Sequence, residues 1–271
     1  MMNKKILALW STPRSRSTAF LWMMKQRSDF SVLQEPFGRS AYYSEERIFD
    51  RAGDVMPKAE YSYRSVLEDI KSKARKSRLF IKDFPYYFLQ IVDDEFMDCF
   101  QHTFLIRHPA QMLPSYYHKM PDLDFNECGY KELAELFTKT IQHTGEIPAV
   151  IDADDLVEST ADIVRAYCLK IDIPFIPEAS SWDTPGSTDE IGWWDNRSWN
   201  DDLRVTEKFQ DIKKPNYVEV HENQKLQSLY DLCMPYYEEI NRYRLSIGKT
   251  KIPKKSVPAQ GTPRLDPGAK R

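Results

Sequence analysis

The 271-residue chain has four scattered cysteines, no two of them in a CxxC pair. That argues against a disulfide scaffold or a metal site, and Cys99, Cys128, Cys168 and Cys233 read as buried, reduced thiols instead. No apolar run approaches the ~20 residues of a membrane span, and the strand-like opening KKILALW is too short for a signal-peptide core. Neither sign of charge dominates: 38 basic and 41 acidic residues leave a net charge of −3. The chain therefore has no global attraction to nucleic acid or to acidic membranes, and any anion site must be a local concentration of charge. Internal repeats are absent too. Together these absences point to a soluble cytoplasmic protein with neither a nucleic-acid nor a membrane partner.

Hydrophobic residues make up 41% of the chain and aromatics 13%, which suits a globular protein with a core of real size. Apolar, β-rich runs fall at 5–10, 78–82, 102–106 and 147–151, with a weaker one at 31–34. Helical patterns lie between and after them, at 17–27, about 61–76, 109–119, 130–144, 157–170 and 223–245. Such alternation predicts an α/β fold with a mostly parallel central sheet flanked by helices. Ligands gather at the carboxyl ends of the strands in such sheets. Residues 1–248 are expected to form one domain, with 249–271 a basic, Pro/Gly-rich, loosely ordered tail.

At the end of the first run stands LWSTPRSRSTAF (9–20). A strand entering a tight polar loop that opens a helix offers backbone N–H groups and the positive helix end to an anion. Ser15, Ser17 and Thr18 add hydroxyls, and Arg14 can pair its hydrogen bonds to phosphate or sulfonate oxygens. A merely capped helix with solvent-facing arginines is the plainer alternative. The loop lacks the Gly-Lys of a triphosphate-binding loop, which argues against ATP or GTP hydrolysis. A second strand, charged turn and helix follows in HTFLIRHPAQMLPSYYHK (102–119), with Arg107 at the strand end and Ser115 eight residues on. Pro109 suits the first turn of its helix.

Taken together, TPRSRST (12–18) resembles the 5′-phosphosulfate loop, and LIRHPAQMLPSYYHK the 3′-phosphate motif, of sulfotransferases that use 3′-phosphoadenosine 5′-phosphosulfate (PAPS). IDADDLVESTADIVRAYCLKIDIPF (151–175) resembles that family's strand, acidic turn and helix. The resemblance implies a P-loop-like sulfotransferase fold, PAPS as donor, 3′,5′-adenosine bisphosphate (PAP) as product and no metal. It implies that Arg14 contacts the phosphosulfate and its bridging oxygen, that Ser15, Ser17 and Thr18 hold phosphate, and that Arg107 and Ser115 take the 3′-phosphate. Arg16 departs from the pattern, because many relatives carry glycine there. Its side chain either points away from the cofactor or adds a contact to sulfonate or substrate.

The acceptor needs a base to take its proton. Cytosolic relatives place a histidine after the strand that corresponds to FIKDFPYYF (80–88), but this chain has Lys82 and Asp83 there. Other branches use a glutamate past the phosphosulfate loop, and SVLQEPFGR supplies Glu35 twenty-one residues after Arg14. Glu35 is the leading base, Asp83 the next. Tyr42 and Tyr43, expected in a loop, and Trp193, Trp194 and Asp195 in GWWDNRSW are candidate acceptor contacts, with packing roles equally open. Asp93, Asp94 and Asp152 stand after apolar runs as magnesium-binding acids do, but without a Lys-Ser/Thr loop they make no NTPase site. Relatives of this loop style include enzymes of secondary metabolism, among them those that tailor saxitoxin-type guanidinium alkaloids. The resemblance thus implies a small-molecule acceptor, and the acidic 187–202 stretch would suit a cationic one. A small-molecule kinase and a catalytically silent nucleotide-binding protein are the alternatives.

Overall fold

The computed structural model describes residues 6–50, 55–182, 206–210 and 217–246. Five strands form one sheet: β1 (Ile6–Ser11), β2 (Ser31–Gln34), β3 (Leu79–Asp83), β4 (Phe100–Ile106) and β5 (Ala149–Asp152). Their order is β2-β3-β1-β4-β5, and every pairing is parallel. The expected mostly parallel sheet is therefore wholly parallel among the described residues. β1 and β3 are buried at every position, as strands covered on both faces must be, and that is why they read as unbroken apolar runs.

Ten helices accompany the sheet among the described residues: α1 (Ser17–Gln26), α2 (Gly38–Tyr43), α3 (Tyr63–Lys76), α4 (Asp94–Cys99), α5 (Pro109–Lys119), α6 (Phe125–Cys128), α7 (Tyr130–Thr144), α8 (Ala153–Glu158), α9 (Thr160–Lys170) and α10 (Gln224–Asn241). The chain leaves β1 in one direction to reach β2, then turns back through β3 to β4 and β5. Right-handed crossovers then force α1 onto one face and the later crossover helices onto the other. The two cores follow that division. Ile6, Ala8 and Trp10 of β1 pack with Ile70, Phe96, Met112, Leu133, Phe137 and Leu229. Leu7 and Leu9 point the other way, toward Phe20, Leu21 and Met24 of α1 and Ile163 and Tyr167 of α9. Each buried Leu, Ile, Met or Phe among them contributes about 1.5–3 kcal/mol by leaving water.

Several expectations need correction. The helix expected over 157–170 is two helices, because Asp152 caps α8 and Ser159 leaves helical geometry at φ −141°, ψ 52°. Tyr42 and Tyr43 lie in α2, not in a loop. The run before Asp93 is a short 3-10 turn, Leu89–Ile91, and Asp93 caps α4 by accepting the N–H of Phe96. No helix among the described residues is long and apolar enough to cross a membrane. The GWWDNRSW stretch, with Trp193, Trp194 and Asp195, and the tail from 249 lie outside the described residues.

Candidate active site

Because the sheet is parallel, the strands end at one common edge. β1 delivers the loop 12–16, β2 delivers Glu35, β3 ends in Lys82 and Asp83, β4 is followed by Arg107, and β5 ends in Asp152. Five non-glycine residues among those described have positive φ, and three stand on this edge: Arg14 (56°), Arg16 (66°) and Glu35 (49°). A left-handed backbone costs an ordinary residue on the order of 1 kcal/mol, and such positions cluster where a site dictates geometry. The positive φ of Arg16 also accounts for the glycine that the resemblance leads one to expect there.

The loop folds around its own contacts. The Ser15 hydroxyl donates to the Thr12 carbonyl at 2.7 Å. Arg16 occupies the N-cap of α1 without a side-chain cap, and the first turn, with Ser17 and Thr18, holds no acidic residue. The amides of that turn and the positive helix end are left facing the loop.

The loop and the second motif are physically joined. Arg14 Nε donates to Ser115 Oγ at 3.1 Å, and Arg107 Nη1 donates to the Arg14 carbonyl at 2.7 Å. Tyr130, which the sequence did not single out, donates its hydroxyl to the Arg107 carbonyl at 2.7 Å. Arg107 is buried, and its Nε has no hydrogen-bond partner among the described residues. Burial, then the charges of Arg16 and Arg14, push its guanidinium down to about 10. On its other side Arg16 Nη1 donates to the Ala153 carbonyl at 2.8 Å and reaches Asp154 Oδ1 at 3.3 Å. Arg16 thus ties the loop to the start of α8.

Beside this arginine cluster lies a second charged group. Lys82 Nζ is bonded to Glu35 Oε1, with both side chains buried, and lies 4.1 Å from the centre of the Phe84 ring. The Glu35 backbone is held by β3 as well, since its N–H donates to the Lys82 carbonyl at 2.6 Å. Asp83 is fully buried and accepts the N–H groups of Phe37 (2.8 Å) and Phe84 (2.7 Å), one on each carboxyl oxygen. Burial first, then the charge of Glu35, raise the Asp83 carboxyl well above the usual range. Tyr42 is buried against Phe49 and Tyr87, with ring centres 5.1 and 5.7 Å away; Tyr43 is half-buried beside it.

The histidines with contacts in the structure do other work. His102 accepts from Trp10 Nε1 on Nδ1 at 2.8 Å, so its Nε2 carries the proton and faces the Met97 carbonyl at 3.1 Å. His108 caps α5, His118 packs its ring near Tyr217, and His143 faces Asp98. Asp152 accepts the amides of Asp154 and Asp155 and the hydroxyl of Tyr237, so it is a helix cap. Among the described residues no group of three or more His, Cys, Asp or Glu is placed to hold a metal ion. All four cysteines are free thiols.

The first strand of a parallel sheet opens into a polar loop, and arginines from two strand ends converge on it. The chain belongs to the sulfotransferase domain family, whose model matches residues 4–243. It is similar to branched-chain-amino-acid aminotransferase-like protein 2 of Arabidopsis thaliana, 28% identical over 269 residues, covering 96% of this chain and 46% of that protein. It is also similar to the plant's branched-chain-amino-acid aminotransferase-like protein 1, 32% identical over 197 residues, 72% of this chain and 35% of that one. The chain spans less than half the length of these relatives. Among solved structures, the sulfotransferase domain from the curacin biosynthetic pathway covers 84% of this chain and 97% of its own, at 13% identity and a TM-score of 0.41. The sulfotransferase domain of the Synechococcus PCC 7002 olefin synthase covers 86% and 95%, at 14% identity and a TM-score of 0.46.

Proposed function

We propose that the chain transfers the sulfuryl group of PAPS to a hydroxyl, amine or guanidine nitrogen of a small molecule and releases PAP. The observation that carries this reading is the joining of the two anion motifs through Arg14, Ser115 and Arg107. A donor with phosphate groups at both ends of its ribose fits residues grouped in this way. The Nε of buried Arg107 and the first turn of α1, which have no side-chain partner or cap among the described residues, are what such a ligand would satisfy.

The donor supplies an activated sulfuryl group; the chain supplies position and charge. Arg14, with the α1 amides, would hold the phosphosulfate and offset charge growing on the leaving group. Glu35 would accept the acceptor's proton, and the Lys82 ammonium bonded to it would hold the carboxylate in place. Asp83 has both oxygens engaged by backbone N–H groups, which favours Glu35 as the base. Work in a reducing compartment, the cytoplasm, suits the four free thiols. A secondary metabolite, including a cationic alkaloid, is the acceptor class to examine first.

The test is a titration with PAP and with ATP-magnesium, followed by a sulfation screen over phenols, alcohols, amines and guanidines. Binding of PAP in preference to ATP, with a sulfated product, is expected. Tight ATP binding without PAP binding would make this a kinase site, and PAP binding without any product would make it a silent nucleotide-binding protein.

A further inference from the structure

Arg16 is the loop residue whose function the motif resemblance leaves undefined. We propose that Arg16 is a second guanidinium for the 3′-phosphate beside Arg107, and that it sets selectivity for a nucleotide phosphorylated at that position. The inference rests on the PAPS reading above and assigns a role within that same site.

The topology carries it. Arg16 starts at the β1 loop, and its Nη1 ends on the Ala153 carbonyl (2.8 Å) and Asp154 (3.3 Å), just past β5. In the sheet β4 lies between β1 and β5. A side chain that bridges the outer two must pass over the end of the middle strand, where Arg107 stands. Arg107 is itself drawn toward the loop by its bond to the Arg14 carbonyl, 2.7 Å long. The bonds of Arg16 and Arg107 thus direct both guanidinium groups toward the end of β4.

The electrostatics agree, because after burial the charge of Arg16 is the largest influence lowering the Arg107 guanidinium, ahead of that of Arg14. Holding two cations together is unfavourable, and a phosphate between them converts the repulsion into attraction. Asp154, about one-third exposed, fixes the direction of Arg16. A glycine at position 16 would accept the left-handed backbone freely and leave only Arg107 and Ser115 for the 3′-phosphate.

The experiment measures dissociation constants of PAP and of adenosine 5′-monophosphate by calorimetry for the wild type, Arg16→Gly and Arg16→Lys. The two nucleotides differ only in the 3′-phosphate. Arg16→Gly is expected to weaken PAP about tenfold and the monophosphate less than twofold, with Arg16→Lys keeping more of the preference because it keeps the charge. An equal loss for both nucleotides, no loss for either, or a lysine variant no better than glycine overturns the assignment. If the wild type binds PAP but the preference does not move, only the role of Arg16 falls. If the wild type binds neither nucleotide, the sulfuryl-transfer reading falls with it. Glycine suits the backbone at this position, so the variant is expected to fold, and its thermal transition checks that directly.

Discussion

The ammonium of Lys82 is bonded to the carboxylate of Glu35 inside the protein, where the side chains keep 1% and 7% of their exposure. The two residues are 47 positions apart and meet because β2 and β3 are neighbours in the sheet. Removing one partner of such a pair leaves a buried charge without compensation. Lys82→Met is therefore expected to destabilise the fold by about 3–5 kcal/mol in denaturant titration. Adding Glu35→Gln to Lys82→Met should recover a large part of that loss. If the double variant were as unstable as the sum of the single ones, the pair would have no coupling.

Glu35 is also the base in the proposed reaction. Glu35→Gln keeps the shape and hydrogen-bonding length of the side chain but cannot take a proton. Turnover is expected to fall by about 10²–10⁴, the usual contribution of a positioned base. The PAP dissociation constant, measured separately, should stay within about twofold, because the arginine cluster is untouched. Turnover within a few-fold of wild type would remove Glu35 from the role.

Much of this architecture was legible in the chain. The buried strands advertise themselves as apolar runs because both of their faces are covered, and the long helices show their period. The three helices that escaped notice, α2, α4 and α6, have six, six and four residues. That is too short for periodicity to register. A signal existed for α6, since Asp124 and Glu127 form a reciprocal capping box. For α4 the signal was Asp93, an acid of the type that caps a helix by accepting a first-turn N–H.

The site was legible in its residue types more than in its partnerships. Arg14, Arg107 and Ser115 stood out because a loop and a strand end rich in donors suggest an anion. That Lys82 meets Glu35, or that Arg16 meets Asp154, depends on strand order, which adjacency in the chain does not reveal. Tyr130 fell within an ordinary amphipathic helix, and nothing in its neighbours marks the hydroxyl that supports Arg107. The left-handed backbone at Arg16 does not show in the arginine itself; its one signal was the glycine that the resemblance leads one to expect there.

Asp83 gives a prediction in pH. Its carboxyl is raised in the folded protein by burial and by Glu35, so the folded state holds that proton at pH values where the unfolded chain has lost it. Between the unfolded value, near 3.8, and the raised folded value, native protein binds more protons and stability falls as pH rises. Asp83→Asn removes this dependence and, because an amide nitrogen must face a backbone N–H, costs about 1–3 kcal/mol. Chemical denaturation from pH 4 to 8 should show the stability advantage of wild type over Asp83→Asn largest at the acid end and shrinking with rising pH. An advantage that grows with pH would mean the carboxyl is not raised.

The junction between α6 and α7 offers a test of how tightly the site is packed. Gly129 has φ 72°, and a Cβ placed there would lie 2.7 Å from Tyr86 Cδ1, inside any real contact. Gly145, at the other end of α7, has φ 69° and nothing within 4 Å of the same position. Alanine at either site costs about 1–2 kcal/mol for the left-handed backbone. At Gly129 the clash with a buried ring adds about 1–3 kcal/mol of overpacking. Because Tyr130 follows directly and its hydroxyl supports Arg107, that displacement also reaches Arg107. Gly129→Ala should therefore lower the melting temperature more than Gly145→Ala and weaken PAP binding, which Gly145→Ala leaves unchanged. Equal losses of stability in the two variants, with PAP affinity intact in both, would show that Tyr86 yields and that the junction does not govern the site.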